Sequence, residues 1–464
     1  MKNTATFTLL ELKSALTAID FINFENEINV SGVSTDTRTL EKNNIFIALK
    51  GEVFDGHDSL ADAFKKEASA VIISENWFKN HKNNIDFPVI VVKDTLKALA
   101  ELAFFHRIRF NFPVIAVAGS NGKTSTKELI ASVLSQRYKV LKTYKNLNNQ
   151  IGVPLTILQF DSTHQAAVVE IGTNSPGEIS LLSELLKPDL GVITNIGKEH
   201  LEQLIDLEQV EIEETFLFGN LMKTGGVCFI NCDDQRLAKY KNILKNSITY
   251  GTDKSQKNDF NVEIELKNDL TPSLYFNIND ENFVANLNAV GYAIALNATA
   301  AIPIGAYLGL TGSEIKAGLE AYRENSTEQS YARMALQNVG KFLFLNDCYN
   351  ANPDSMLMSI KTLLAYKQAK KHIAILGDMF ELGEATEEEH SNVLENASNS
   401  LYKVLVTGKN MEQTAQKNKR NNVIYFGTLE EIANYIKKLD DIENTVFLLK
   451  GSRGMKMENI FLYL

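Results

Sequence analysis

The stretch VIAVAGSNGKTSTKELI, residues 114–130, decides how the chain is read. Val114 to Ala118 form an apolar run that breaks at Gly119 into a polar loop ending Gly122-Lys123-Thr124, after which helix-forming residues resume. An apolar strand, a glycine loop and a helix in that order make an anion site: glycines let backbone N–H groups turn toward one phosphate, and the helix N-terminus adds its positive dipole. Lys123 supplies a charge for β and γ phosphates, and the Thr124 hydroxyl reaches a bound Mg²⁺. The spacing is G-x-x-G-K-T, because Val117 stands where the longer phosphate-loop motif has its first glycine. A glycine turn beside a solvated lysine is the plainer alternative, and it leaves the strand, both glycines, Lys and Thr unexplained as a set.

Outward from this loop, apolar runs alternate with helical stretches: PVIAVAG, AAVVEIG, LGVITNIG and GGVCFIN. That alternation is the pattern of a doubly wound, mostly parallel α/β sheet. Before it, NIFIALKG, SAVIIS and FPVIVV predict a small α/β unit; after an Ala-rich helix near 293–308, the runs FLFLND, HIAILGD, KVLVTG, NVIYFG and TVFLLKG predict a third one. Three domains over 1–98, 99–312 and 313–464 are expected, since 464 residues exceed what one core organises.

Composition narrows the classes. Apolar content of 44% with 22% charge is that of a globular protein, and no tract of about 18 apolar residues is present to span a bilayer. The first twenty residues read as a polar start to an amphipathic helix rather than a signal peptide, so the expected address is the cytoplasm. Cys228, Cys232 and Cys348 have no metal-ligand spacing and fit reduced thiols. A net charge of −10 argues against nucleic acid as a partner.

Ligands of doubly wound sheets sit beyond the carboxyl ends of the strands. Glu170 closes the run AAVVE and His200 follows LGVIT, so each is a candidate for holding a metal near the phosphates. Singly, either reads as an ordinary strand-end or helix-start polar residue. Together with the loop, they favour a metal site.

These motifs resemble those of the Mur ligase family, the ATP-dependent amide ligases of peptidoglycan precursor synthesis. The resemblance is carried by GSNGKTSTKE, EIGTNSPGEI, TNIGKEHLE, NDCYNANPDSM at 346–356, LGDMFELGE at 376–384 and KGSRGMKME at 450–458. GVSTDTRTL, IALKGEVFDGHD and NLNNQIGVPLTIL add to it, so it covers nearly the whole chain. It implies an N-terminal domain for the UDP-sugar end of a substrate, a central ATP-binding domain, and a C-terminal Rossmann-like domain that closes over ATP. The implied substrates are UDP-N-acetylmuramoyl tripeptide and D-alanyl-D-alanine, joined by a monomer through an acyl phosphate that leaves ADP and phosphate.

By the same resemblance, ATP falls to Gly119, Ser120, Asn121, Gly122, Lys123, Thr124 and Ser125, with Asn297, Arg333, Asp347, Tyr349 and Asn350. Catalysis is expected of Lys123, Glu170, His200 and Arg333, and Mg²⁺ binding of Thr124, Glu170 and His200. Ser34, Thr35, Asp36, Arg38, Lys50 and Gly51 correspond to the muramoyl end, and Asn148, Asn149, Thr173 and Asn174 to positions near the peptide. Bringing Arg333 and Asp347 to Lys123 requires closure, so open and closed forms are expected.

Two departures stand out. The family's carbamylated lysine, about fourteen residues beyond the metal-site histidine, is here Glu214. If DLEQVEIEETFLFGNL is helical, Leu207, Val210, Glu214, Leu217 and Leu221 share a stripe, and a carboxylate on an apolar stripe needs a partner. Glu214 is therefore expected as a metal ligand that needs no carbon dioxide. The family's His-Asn after the glycine of AVGYAIALNATAAI is replaced by Ala293 and Ile294, leaving Asn297 alone near adenine. Two other readings stay open: a ligase of this family with another amine, and a nucleotide-binding protein that has lost catalysis.

Overall fold

The structure, a computed structural model, describes residues 2–24, 28–81, 86–323 and 332–464. At its centre the expected strands form a seven-stranded parallel sheet in the order Phe260–Asn261, Ser247–Gly251, Val227–Asn231, Leu190–Ile193, Val114–Ala118, Ala166–Glu170, Val140–Lys142. Val114–Ala118, Ala166–Glu170 and Leu190–Ile193 are wholly buried, which is why they read as unbroken apolar runs rather than alternating ones. The order reverses between the neighbouring strands Val114–Ala118 and Ala166–Glu170, with their register aligning Glu170 beside Val117. Glu170 and the loop that follows Ala118 are thus set by topology at the switch point where such sheets bind ligands.

The N-terminal unit holds a five-stranded sheet ordered Ala18–Ile22, Val89–Val92, Ala70–Ser74, Ile45–Ile47, Val33–Ser34, parallel except for the first pair. The C-terminal unit holds six strands ordered Ala335–Val339, Phe342–Asp347, Thr445–Lys450, Lys371–Leu376, Lys403–Val406, Val423–Tyr425, parallel apart from the leading hairpin. This is the expected three-part α/β architecture with a Rossmann-like C-terminal sheet. Sequence reading missed a three-stranded antiparallel sheet, Glu263–Leu266, Pro272–Ile278 and Glu281–Asn286. Its outer strands, four and six residues long and only partly buried, are too short to stand out as strands.

Helices cross the expected boundaries. Thr95–Arg107 spans the junction at 98. Gly312–Ala321 begins at 312 but belongs by packing to the central unit, since Ile315 and Leu319 share a core with Leu129 and Val133, and Ser132 Oγ donates to Gly318 O at 2.7 Å. We propose that the central domain runs through Ala321.

Candidate functional site

The phosphate loop has the shape its sequence predicts. Gly119 (φ +110°) and Gly122 (φ +81°) occupy the left-handed region, and Lys123 opens the helix Lys123–Leu134. A Cβ on Gly119 would stand 2.3 Å from Thr194 Oγ1, and one on Gly122 2.2 Å from Asn297 Oδ1. Asn297, the last of the expected adenine-side residues, therefore packs directly on the loop. Its neighbours Ala293 and Ile294 line the same cavity.

Lys123 Nζ donates to Gly119 O at 2.5 Å and Ser120 O at 3.2 Å, and lies 3.4 Å from Glu199 Oε2. Burial pushes its ammonium pKa down, but Glu199, Glu214 and Glu170 together outweigh that and raise it, so the side chain stays charged. Glu199 went unassigned in the sequence; its only signal was adjacency to His200 beyond a buried strand. Burial raises its own pKa against the pull of Lys123.

Glu170 ends its strand with Oε1 accepting from Asn148 Nδ2 at 2.8 Å and from the Thr124 hydroxyl at 3.2 Å. Its Oε2 is buried with no hydrogen-bond partner, 3.6 Å from the ammonium of Lys127. Lys127, one turn beyond Lys123, is wholly buried and donates to Thr143 O and Lys145 O at 2.8 and 2.9 Å. It ties the segment carrying Asn148 to the carboxylate that Asn148 holds, a role sequence reading also missed.

The helix Leu207–Thr224 carries the expected stripe: Val210, Glu214, Leu217 and Leu221 are fully buried, whereas Ile212 and Phe216 are exposed. Glu214 has a backbone partner: Oε2 accepts the Gly119 N–H at 2.7 Å, fastening the helix to the phosphate loop. Its Oε1 is buried without a hydrogen-bond partner, and the residue does not line the cavity. Burial pushes its carboxyl up to about 8, with Lys123 and the Gly119 N–H pulling down and Glu199 and Glu213 pushing up.

That shift sets a stability trend. Above the ordinary value of 4.5 the unfolded carboxyl releases a proton that the folded one keeps, so raising pH favours unfolding until the folded group also ionises near 8. The ligand-free protein is expected to lose melting temperature across that window, and Glu214→Gln to flatten the loss. A scan by calorimetry in which parent and variant fall in parallel would contradict the assignment.

The four residues expected around Mg²⁺ do not converge as one preformed ligand cluster; among the described residues no group of three or more His, Cys, Asp and Glu does. His200, at φ +49°, turns its Nδ1 to Glu381 Oε2 at 2.7 Å, and its Nε2 lies 3.8 Å from Glu199 Oε2. The oxygen donors of Thr124 and Glu170, with the unpartnered Glu170 Oε2, suit a hard cation that takes its remaining ligands from phosphate and water.

The C-terminal domain closes the site in this structure. Arg333 lies over the Tyr349 ring, 3.7 Å from its centroid, and reaches Thr124 Oγ1 at 3.5 Å. Asp347 pairs with Lys450 Nζ and accepts from Ser359 Oγ, both at 2.6 Å; Lys450 also donates to Asn350 O at 3.0 Å. Asn352 caps the helix Pro353–Ala365, as Asn-Pro suggests, and its Nδ2 also donates to Asn121 Oδ1 at 2.8 Å.

The result is a cavity of about 670 Å³. It is lined by loop residues Ser120 to Ser125, by Glu170 and His200, by Asn148, Asn149, Thr173 and Asn174, and by Arg333, Asp347, Tyr349 and Asn350. Ser34, Thr35, Asp36, Arg38, Lys50 and Gly51 lie outside it. They cluster instead at the carboxyl ends of the paired strands Val33–Ser34 and Ile45–Ile47, where Asp36 clasps Arg38 and Lys50 sits 3.7 Å from Asp55.

Comparison with known proteins agrees with this layout. Residues 29–107 match the description "Mur ligase family, catalytic domain", 117–305 "Mur ligase middle domain" and 332–453 "Mur ligase, glutamate ligase domain". The UDP-N-acetylmuramoyl-tripeptide–D-alanyl-D-alanine ligase of Bacillus subtilis is 33% identical over 438 residues, covering 93% of this chain and 92% of the relative. A crystal structure of MurF from Acinetobacter baumannii superposes with TM-score 0.86 at 28% identity, over 100% of this chain and 98% of that one. The MurF ligase of Thermotoga maritima in complex with ADP superposes with TM-score 0.80 at 26% identity, over 93% and 96%.

Proposed function

The chain belongs to the Mur ligase family, and from that premise we propose that it joins D-alanyl-D-alanine to UDP-N-acetylmuramoyl tripeptide, converting ATP to ADP and phosphate. The observation that carries the reading is the single cavity in which the phosphate loop, Glu170 and the amide side chains of Asn148, Asn149 and Asn174 face Arg333 and Asp347 of the C-terminal domain.

The chemistry follows from charge. A tripeptide carboxylate attacks the γ-phosphorus of ATP; the bond to the β–γ bridging oxygen breaks, ADP leaves, and an acyl phosphate forms. The free amine of D-alanyl-D-alanine then adds to the acyl carbon, loses a proton, and the tetrahedral intermediate expels inorganic phosphate as the amide forms. Both steps bring anions together, so cations and positioning supply the catalysis. Lys123, held charged by its carboxylates, meets the β and γ phosphates in exchange for the carbonyls of Gly119 and Ser120. Arg333 approaches from the opposite domain. The amides of Asn148, Asn149 and Asn174, with the Thr173 hydroxyl, orient the peptide, and closure keeps water from the acyl phosphate.

Mg²⁺ would be held by Thr124 and Glu170 with His200 nearby, and when bound it neutralises phosphate charge. Glu214 secures the loop from beneath and places a carboxylate in the position of the family's modified lysine. The six N-terminal residues Ser34 to Gly51 receive the UDP-muramoyl end, outside the ATP cavity.

Phosphate release from ATP and Mg²⁺ tests the reading, comparing D-alanyl-D-alanine, single amino acids and no amine in the presence of UDP-muramoyl tripeptide. Release dependent on the dipeptide, with a matching pentapeptide product, is expected. Release with a different amine would reassign the substrate, and none under any condition would refute ligation. In the same assay Glu214→Gln is expected to lower turnover and raise the Mg²⁺ concentration needed for half-maximal rate; unchanged kinetics would remove Glu214 from the machinery.

A further inference from the structure

We propose that Glu381 is a positioning residue for His200: its carboxylate, delivered by the C-terminal domain, accepts the Nδ1–H of the imidazole and leaves Nε2 bare beside Glu199. The two residues come from different domains and meet at 2.7 Å. Both lie in the left-handed region, Glu381 at φ +62° and His200 at φ +49°. For residues other than glycine that conformation is strained, and it persists where the surroundings fix it.

The surroundings do fix it on the C-terminal side. Met379 N–H donates to the buried His390 Nε2 at 3.0 Å, and Phe380 N–H to Ser452 Oγ at 2.9 Å, immediately before Glu381. Just after it, Ala385 N–H donates to Leu382 O at 3.1 Å and Thr386 Oγ1 to Gly383 O at 2.7 Å. The turn is seated on the His200 segment as closely as backbones allow: Glu202 N–H donates to Glu381 O at 3.2 Å, and a Cβ on Gly383 would stand 3.1 Å from the Cα of Glu202. Leu382 and Leu201 are buried in one core. Glu381 is thus presented at a set height rather than swept across the site on a mobile loop.

The consequence is chemical. An imidazole that donates through Nδ1 keeps the lone pair on Nε2, and here that nitrogen is 3.8 Å from Glu199 Oε2. Two acceptors side by side, with Lys123 Nζ 3.4 Å from the same carboxylate, make a face that suits a cation or a donor and repels an anion. A carboxylate behind a histidine is the common device for fixing both tautomer and ring orientation. Because the carboxylate belongs to the closing domain, His200 is set only when the C-terminal domain is seated, and closure and assembly of the reacting site become one event.

The kinetic arm of the test rests on the ligase reading; the spectroscopic arm does not. ¹⁵N spectra of histidine-labelled protein at about pH 8.5, where imidazole is neutral, with His200 assigned by its loss in His200→Gln, should show the Nδ1–H tautomer in the parent. Glu381→Ala should lose that preference and Glu381→Gln, whose amide oxygen still accepts, should keep it. In turnover, Glu381→Ala should lower kcat about tenfold or more with little change in KM for ATP or in melting temperature, and Glu381→Gln should recover most of it. An Nε2–H tautomer in the parent, a tautomer unmoved in Glu381→Ala, or equal loss in both variants would overturn the proposal. A parent that binds nucleotide, shows the predicted tautomer and makes no amide would instead overturn the ligase reading.

Discussion

Lys123→Met is expected to lower turnover by about three orders of magnitude, the scale set by removing a cation that stabilises charge during phosphoryl transfer. The side chain is wrapped by the carbonyls of Gly119 and Ser120 and by Glu199, so the ligand-free protein already carries the charge where phosphate will arrive. Methionine keeps the length and apolar stem and deletes the charge alone. Product formation under saturating ATP, UDP-muramoyl tripeptide and D-alanyl-D-alanine measures the effect. Residual turnover within tenfold of the parent would show that the loop binds phosphate without the lysine taking part. The same substitution leaves Glu199 and Glu214 buried without their main positive neighbour, so a melting-temperature loss that grows with pH should accompany it.

Arg333→Ala is the second large effect, again about three orders of magnitude in kcat, by analogy of charge and position with arginines supplied to a transferring phosphoryl group from a second domain. Arg333 is stacked on Tyr349 and reaches Thr124, so it is aimed by an aromatic face as well as by its charge. Arg333→Lys is expected to rescue little, since an ammonium neither stacks nor offers the planar fork of donors. The variant should still bind ADP. If kcat holds while only nucleotide affinity drops, Arg333 is a binding group and not a participant in transfer.

Much of this was legible because the chemistry sits where topology puts it. Buried parallel strands read as unbroken apolar runs, and the residues at their carboxyl ends, Gly119 to Thr124, Glu170 and His200, are neighbours by construction of the sheet. Asn352 and Pro353 are residue types that favour a helix start, and a helix begins there. What stayed hidden were partnerships between segments distant in sequence. Nothing near Glu214 says that Gly119, 95 residues earlier, donates to it. Glu213 beside it was equally opaque: it accepts from Gly177 and Ile179 and caps a helix on another element. Lys127 carries no signal in the sequence either, and it is buried because two carbonyls and Glu170 meet its ammonium. The antiparallel strands of 263–286 were missed for the opposite reason, their half-exposed pattern being too short to stand out.

Beside the core shared by Leu201 and Leu382, the seam between the central and C-terminal domains holds both neutral and charged hydrogen bonds. At its centre Asn352 and Asn121 join as neutral amides, while around them Lys198 meets Glu389 at 2.6 Å and its N–H meets Asp354 at 2.9 Å. Ionic strength acts unequally on such a seam. Dissolved ions weaken the exposed contact of Lys198 N–H with Asp354 within a screening length of about 8 Å at physiological salt, act less on Lys198 with the buried Glu389, and leave an amide pair nearly untouched. The expected opening of the domains should therefore respond to salt through that exposed contact, while the register in which they meet is set by the amide pair. Opening is expected to be easier in concentrated salt, and closure to return to the same geometry.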